Sequence, residues 1–329
     1  MSEAFFAHAT TYDVIAELEG LRPTNPFVTM AYCSAREASG FEALIAGVRR
    51  ADGALIAGCT AFSKRGRLAH HMEIPSMPLV SLASAFWPGL LAVCRQRRVT
   101  QLALGTYASD AGTTIPALGP ADIRRERTEF VIDLRTELRE CLCSNHRRNV
   151  KKAQQMGVTM QRTRSMDALR THLSLMNQSM VRRRGRGESV ETETHLLDRL
   201  ALLDSGTGEL FQAVRDDAVL SSVLVLHAPV GAYYQSAGTT PDGMSCGGSH
   251  FLIHGICLHL RETGATTFNL GGADNGSSLA RFKRGFGASP VALPSAICDV
   301  GPEWKRRTSQ AIALARSTPG GLRALFRRI

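Results

Sequence analysis

The chain has 329 residues, of which 44% are hydrophobic and 21% charged, and a formal net charge of +10. This composition excludes a disordered chain, and the length suffices for two domains that each bury a core. The N-terminal residues lack the pattern of a signal peptide, and no apolar run reaches the roughly 18 residues that cross a bilayer. We therefore expect a cytoplasmic protein without an integral membrane span.

Eight cysteines are scattered along the chain without Cys-x-x-Cys pairs or histidine-rich neighbours. Several lie within apolar runs, where a free thiol behaves as a small hydrophobic side chain. We expect them to be reduced and mostly buried, and we expect no metal site.

One pattern of turns and apolar segments occurs twice. In the first half, a charged turn at Arg50 leads into an apolar strand, Gly66 turns into a second strand, and Phe86 begins a helix that is apolar on one face. A further strand ends at Gly105. The counterparts, 165 or 166 residues later, are Arg215, Gly231, Phe251 and Gly271. Four matches in register predict a duplicated strand–strand–helix–strand unit, and therefore two α/β domains with mixed sheets.

A basic segment lies between the two copies. Residues 141–186 contain eleven Lys and Arg and a single acid, Asp167, so that their net charge of +10 equals that of the whole chain. Such a concentrated charge attracts phosphates, nucleic acid or acidic membranes. The segment begins with a predicted helix that ends at Gly157. Residues 159–164 and 166–180 are the predicted first strand and first helix of the second copy.

These patterns predict the following domain organisation. An N-terminal, non-catalytic domain covers 1–140, a basic connecting helix 141–158, a C-terminal catalytic domain 159–302, and a basic tail 303–329 with a further helix over 303–316.

Several blocks together resemble one known family. They are HRRNVKKAQQMGV (146–158), LFQAVRDDAVLSSVLVL (210–226), AYYQSAGTTPDG (232–243) and SLARFKRGFG (278–287), with MEIPSMPLV (72–80) and TEFVIDL (128–134) in the first half. They are similar to the FemABX-like branch of the GNAT superfamily, most strongly between 141 and 300. The resemblance implies two tandem GNAT-like domains and the transfer of an amino acid from aminoacyl-tRNA to a cell-wall precursor or another amine.

The segment LARFKRGFG (279–287) contains the first candidate catalytic residue. Acyl transfer to an amine passes through a tetrahedral oxyanion, which a positioned cation stabilises. The pattern predicts Lys283 at the end of a core strand, before glycines that allow close backbone approach. The resemblance implies that Phe282 and Lys283 lie beside the transferred acyl group. The first copy has Ala117 and Leu118 at this place, so we assign the chemistry to the second copy.

Two further segments supply candidates. The strand AYYQSAG places Tyr233 and Tyr234 on opposite faces. The resemblance implies that tyrosines of this strand contact substrate, and we favour Tyr234. Asp274 is the candidate carboxylate near the site. It acts as a base, it orients the amine, or it only caps its loop. The histidines of the intervening helix lack a Ser or Cys partner in the sequence, so covalent catalysis is not expected.

A glycine-rich entry to a helix is a candidate anion site. Gly247, Gly248 and Ser249 precede an apolar helical stretch, and N–H groups at a helix N-terminus bind anions. The alternative is that Ser249 is a plain N-cap. The segment lacks the leading Arg or Gln, and the glycine spacing, of the loops that hold the pyrophosphate in CoA-dependent GNAT enzymes. That difference argues against acetyl-CoA.

The helix HRRNVKK (146–152) is the second candidate. Arg147 and Lys151, and likewise Arg148 and Lys152, are four residues apart and share a face. Like charges in this arrangement are destabilising without an anion. We therefore expect a partner that carries phosphate, either the backbone of a tRNA or a phosphorylated acceptor.

Three functions follow from these observations. The leading one is a Fem-like aminoacyltransferase with aminoacyl-tRNA as co-substrate, a small-molecule or cell-wall-type acceptor and no bound cofactor. The second is a GNAT N-acyltransferase that uses an acyl-CoA or a carrier-protein thioester. The third is a non-catalytic module that binds RNA or membrane through its basic segments, which leaves Lys283 without a role.

Overall fold

A computed structural model describes residues 3–66, 69–119, 122–185 and 196–301. The strands are β1 (Glu3–Ala9), β2 (Glu42–Arg50), β3 (Leu55–Arg65), β4 (His70–Ile74), β5 (Gln101–Leu104), β6 (Ile123–Asp133), β7 (Thr159–Thr163), β8 (Gly208–Arg215), β9 (Ala218–Ala228), β10 (Gly231–Thr239), β11 (Thr267–Gly272) and β12 (Ser289–Asp299). The helices are α1 (Tyr12–Leu21), α2 (Met30–Ala38), α3 (Phe86–Gln96), α4 (Leu138–Cys141), α5 (Ser144–Gln155), α6 (Met166–Gly185), α7 (Leu196–Asp204), α8 (Pro241–Cys246), α9 (Gly248–Glu262) and α10 (Ser278–Arg284), with one 3-10 turn, Pro26–Val28. Arg186, the predicted helix over 303–316 and the basic tail lie outside the described residues.

The described strands form one mixed sheet, in the order β1-β2-β3-β4-β5-β12-β6-β11-β10-β9-β8-β7. In the first half, β2, β3 and β4 are antiparallel neighbours, and β4 runs parallel to β5. The second half repeats this arrangement with β8, β9, β10 and β11. A helix joins the two parallel strands in each half, α3 in the first and α9 in the second. The predicted duplication is therefore confirmed in its topology.

Two strands in the middle of the sheet join the halves. β6, which follows the first copy in the chain, pairs antiparallel with β11 of the second copy. β12, which follows the second copy, pairs with β5 of the first, so that Ala296 lies opposite Leu104. β6 and β12 also pair with each other. The domain boundaries at 140 and 159 remain predictions. β6, which precedes these boundaries, completes the second half of the sheet, and β12, which follows them, completes the first half.

Helices cover both faces of the sheet. In the second half, α5 and α9 pack on one face over a core that includes Phe211 and Phe268. On the other face, α1, α2, α6 and α7 enclose a core shared by both halves. α5 ends where Gly157 adopts a left-handed conformation, with φ +74°, as its sequence predicted.

Candidate active site

The parallel strands β10 and β11 separate part of the way along their length. They pair only from Gly231 to Tyr233 on β10 and from Thr267 to Asn269 on β11. Immediately beyond, between Tyr234 and Ser236, the register of β10 against β9 is irregular. The strands therefore leave a gap in the sheet, and the candidate residues lie around it.

Lys283 lies at this gap, on α10. Its side chain is only 5% exposed, and its Nζ donates a hydrogen bond of 2.8 Å to the carbonyl oxygen of Gly272, the last residue of β11. The same Nζ is 6.0 Å from the centre of the Tyr234 ring. The prediction that Lys283 ends a core strand is wrong. Because the Ser277 hydroxyl accepts from the N–H of Ala280, the segment begins as a capped helix.

The two tyrosines of β10 point to opposite faces, as predicted. Tyr234 packs against the core under α9, on the side of Lys283. Tyr233 belongs to the core shared by both halves and is 4% exposed. Its hydroxyl donates a 2.9 Å hydrogen bond to Oε1 of Glu129. Burial, followed by the charge of Glu129, raises the pKa of Tyr233 well above its usual value. Tyr233 is therefore a neutral hydrogen-bond donor.

The buried carboxylate of Glu129 was not among the sequence candidates. It also accepts hydrogen bonds from Nδ2 of Asn269 at 2.7 Å and from the N–H of Ala108 at 3.0 Å, and it forms an ion pair with Arg127 at 2.8 Å. Four donors therefore satisfy a carboxylate that is 1% exposed. The sequence indicates only a strand over 128–134, and a glutamate beside the apolar run Phe-Val-Ile is the signal that it offers. The cluster fixes Tyr233 beside the gap.

Phe282 joins an aromatic cluster at the start of α5 and α9. Its ring centre is 5.3 Å from that of His146 and 5.1 Å from that of His250. Its carbonyl oxygen accepts a 2.8 Å hydrogen bond from Nε2 of His146. A Cβ at Gly285 would lie 2.3 Å from this imidazole, so only glycine fits there. Burial, with a smaller contribution from His146, lowers the pKa of His250 to about 4.

The glycine-rich segment takes a different form from the expected loop. α8 and α9 are separated by Gly247 alone, which is left-handed with φ +83° and occupies the N-cap position. A Cβ there would lie 2.5 Å from the carbonyl oxygen of Asn149, so the corner is packed against α5. Gly248 is buried in the first turn of α9. Ser249 is not the N-cap; its hydroxyl lies 2.7 Å from that of Thr239.

Two cavities lie beside the gap. A mouth cavity of about 280 Å³ is lined by Ser179, Arg182, Thr239, Gly243, Met244, Ser249, His250 and Phe282. A central cavity of about 590 Å³ lies where the two halves meet. Tyr233 and Gln235 of β10 line it, together with Tyr32, Tyr107, Arg125 and residues of β5 and β12. Phe282, the neighbour of Lys283, therefore lines the mouth cavity, and Tyr233, which Glu129 holds in place, lines the central cavity.

The four cations of α5 do not share one environment. Arg147, Arg148 and Lys151 line a third cavity, on the outer side of α5. Lys152 lies on a neighbouring face, where its Nζ donates a 2.8 Å hydrogen bond to the carbonyl oxygen of Ser245, near the end of α8. Asp274 is exposed in the turn between β11 and α10, and its backbone oxygen accepts from the N–H of Ser277.

Two further predictions concern cysteines and metal ligands. All eight cysteines are free; six are buried, Cys141 is half-buried and Cys143 is exposed. Within the described ranges, no group of three or more His, Cys, Asp or Glu side chains is placed to hold a metal ion. No helix in the same ranges is long and apolar enough to cross a membrane.

Comparison with known proteins identifies the fold. Residues 142–284 match the family model described as Acetyltransferase (GNAT) domain. No curated protein sequence matches the chain. The crystal structure of FemX is similar over 90% of this chain and 97% of its own, with a TM-score of 0.67 at 14% identity.

Two other solved structures extend the likeness. The C-terminal domain of a putative lysylphosphatidylglycerol synthetase from Agrobacterium fabrum is similar over 88% of this chain and 92% of its own, with a TM-score of 0.54 at 14% identity. A tandem GNAT protein from the clavulanic acid biosynthesis pathway is similar over 92% of this chain and 100% of its own, with a TM-score of 0.53 at 13% identity.

Residues 142–284 therefore match a GNAT domain, and the chain as a whole has a fold of two GNAT-type units in tandem. This is the fold that the resemblance to the FemABX-like branch implied.

Proposed function

We propose that this protein is an aminoacyltransferase that moves an aminoacyl group from aminoacyl-tRNA to the amine of a small acceptor. The observation that carries the proposal is the buried ammonium of Lys283, held at the end of β11 and facing Tyr234 across the gap. A buried lysine is costly to maintain, and an active site is a place where such a cation is useful. The likeness to FemX supports the aminoacyl donor.

The two cavities divide the donor from the acceptor. The aminoacyl ester enters from the mouth cavity, past Phe282, and the acceptor occupies the central cavity beside Tyr233. The acceptor nitrogen attacks the ester carbonyl carbon, and the carbonyl oxygen becomes an oxyanion beside the Lys283 ammonium. The bond to the ribose oxygen then breaks, and that oxygen leaves with a proton released by the attacking nitrogen. Tyr233, held by Glu129, orients the acceptor.

A thioester donor is the second candidate, because residues 142–284 match an acetyltransferase domain and the similar tandem GNAT structure is described as one without acetyl-CoA. The corner at Gly247 argues against it. A single residue between α8 and α9, packed against Asn149, is not an extended loop that wraps a pyrophosphate.

One experiment separates the donors. The purified protein is incubated with a pool of tRNAs charged with labelled amino acids, and in parallel with labelled acetyl-CoA, in the presence of a mixture of amines. We expect label from the tRNA pool to appear in amide products. Transfer from acetyl-CoA alone would replace the leading proposal with the thioester alternative.

A further inference from the structure

The third cavity, on the outer side of α5, is not part of the gap. It has a volume of about 610 Å³. Its basic lining consists of Arg147, Arg148 and Lys151 from one face of α5, Arg139 from α4, and His254 from α9, and we call the space that they line the basic cavity. Ser144 and Gln154 complete the polar lining. Leu142 and Val150, both buried, form its apolar floor. Three helices therefore bring together basic side chains that are up to 115 residues apart in the chain (139 to 254).

The charge of the basic cavity is not neutralised by its surroundings. In the part of the chain that the structure describes, no carboxylate forms an ion pair with Arg139, Arg147, Arg148 or Lys151. Burial, followed by the charges of Arg139 and Arg261, lowers the pKa of His254. A concave site with four permanent cations and no acid attracts an anion strongly.

The basic cavity lies next to the mouth cavity. His250 and His254 are one turn apart on α9, and the first contributes to the mouth cavity while the second contributes to the basic cavity. The ring of His250 also packs against that of His146 on α5, with their centres 4.6 Å apart. An elongated anionic molecule whose end enters the mouth cavity can therefore also reach the basic cavity.

We propose that the basic cavity binds backbone phosphates of the RNA that delivers the acyl group. This inference rests on the proposed function, and it names the part of the protein that holds the RNA. Guanidinium, ammonium and imidazole groups suit phosphate oxygens. Among the described residues that line the cavity there is no Phe, Tyr or Trp on which a base would stack, so it binds the backbone without reading the sequence. A concave site suits a protruding phosphodiester better than the flat surface of a membrane.

The structure also selects a matched pair of variants. Lys151 and Lys152 are adjacent, equally charged and both exposed, but only Lys151 lines the cavity. The binding of deacylated tRNA is measured by fluorescence anisotropy between low and physiological salt. We expect Lys151→Ala to reduce the slope of log K against log salt by about 0.7–0.9, the value for one phosphate contact, and the double variant Arg147→Ala/Lys151→Ala by about twice as much. Lys152→Ala should retain the slope of the wild type.

Three results would overturn the inference. Equal losses for Lys151→Ala and Lys152→Ala would mean that only the general charge of α5 matters. Competition by micromolar inorganic pyrophosphate would assign the cavity to a small phosphorylated ligand. Binding to vesicles of anionic phospholipid that depends on Arg147 and Lys151, without tRNA binding, would assign it to a membrane.

A comparison of two donors distinguishes a failure of the proposed function from a failure of the RNA site. With aminoacyl-tRNA as donor, Arg147→Ala/Lys151→Ala should lower kcat/KM at least tenfold more than it does with a short aminoacylated dinucleotide, which does not reach the cavity. If no aminoacyl donor reacts but tRNA still binds through Lys151, the transferase proposal fails and the RNA site stands. If both donors react and the variant affects them equally, the RNA site fails and the transferase proposal stands.

Discussion

The two copies of the fold differ at the point where their parallel strands stop pairing. In the first copy, β4 and β5 pair along their length, and a bridge between Ser76 and Thr106 continues the contact beyond them. The buried guanidinium of Arg22 secures this closure, because it donates hydrogen bonds to the carbonyl and the hydroxyl of Ser76. In the second copy the corresponding strands separate after Tyr233.

A histidine holds the open copy in its arrangement. His172 on α6, which is fully buried, hydrogen-bonds through its two ring nitrogens to the hydroxyls of Ser222 on β9 and Ser236 on β10, each at 2.9 Å. It thus secures β10 to α6 just past the irregularity, on the side away from β11. The two copies share a topology, and a few polar contacts beyond the last strand pair decide which one has a gap between its parallel strands.

The largest test of this comparison is Lys283→Ala. It removes the cation from the open copy, and the first copy offers no equivalent to replace it. We expect turnover to fall by about 10²–10³-fold, the usual cost of losing one oxyanion donor. The melting temperature should change little, with Arg281→Ala, an exposed neighbour on α10, as control. Turnover near that of the wild type would end the assignment of the chemistry to this residue.

Two equivalent glycines, one in each copy, separate an effect on turnover through the gap from an effect on stability alone. Gly271 in the open copy is left-handed, with φ +72°, and lies beside Tyr233, while Gly105 in the closed copy would place a Cβ 2.7 Å from the Pro75 carbonyl oxygen. Alanine at either position should destabilise the fold, by about 1 kcal/mol or more at Gly271. Only Gly271→Ala should also reduce kcat, by up to about 10²-fold, because it displaces groups around the gap. Equal kcat values in the two variants would contradict the comparison.

A change in the Glu129 cluster should have a smaller effect on the reaction than the two changes above. Tyr233→Phe removes one of the four donors to a buried carboxylate, which should cost about 1.5–3 kcal/mol in the free energy of unfolding and raise the KM for the acceptor. Tyr32→Phe is the control, because Tyr32 also lines the central cavity but does not bond Glu129. Denaturant unfolding and steady-state kinetics measure both quantities, and identical behaviour of the two variants would remove Tyr233 from the acceptor site.

The pH dependence of stability tests the role of His172. Burial, followed by the charge of Arg199, lowers the pKa of His172 to about 3 in the folded protein, whereas an unfolded histidine titrates near 6.5. Below pH 6.5 the unfolded chain therefore takes up a proton that the folded chain does not, and stability falls toward pH 3 by about 1.4 kcal/mol per pH unit. The slope of His172→Asn should be smaller by about this amount, whereas His71→Asn, an exposed change in the first copy, should not change it. An unchanged slope in His172→Asn would show that the residue is not buried neutral.

The sequence predicted the topology of the copies but not the difference between them. The turn residues at Arg50 and Arg215 and the helices from Phe86 and Phe251 follow local patterns, so their repetition was visible in the residues. Lys283 was located, but its secondary structure was predicted incorrectly, because a helix of seven residues is too short to show a period. The Ser277 cap was the available signal.

The contacts between distant residues had no local signal. Glu129 meets Tyr233 across 104 residues, and His172 meets Ser236 across 64. The four basic residues of α5 were grouped by spacing alone. Only packing against α4, α8 and α9 separates Lys152 from the other three.

β6 and β12 each pair with a strand of the other copy, and this pairing has a consequence for synthesis on the ribosome. The edge of β5 stays uncovered until β12 emerges, because Leu104 pairs with Ala296 and every residue between them is made first. An open strand edge that persists for so long is a site for wrong pairing with other chains. The first half of the sheet is therefore complete only after β12 has been synthesised. A nascent chain that stalls before residue 289 carries two incomplete halves rather than one folded domain.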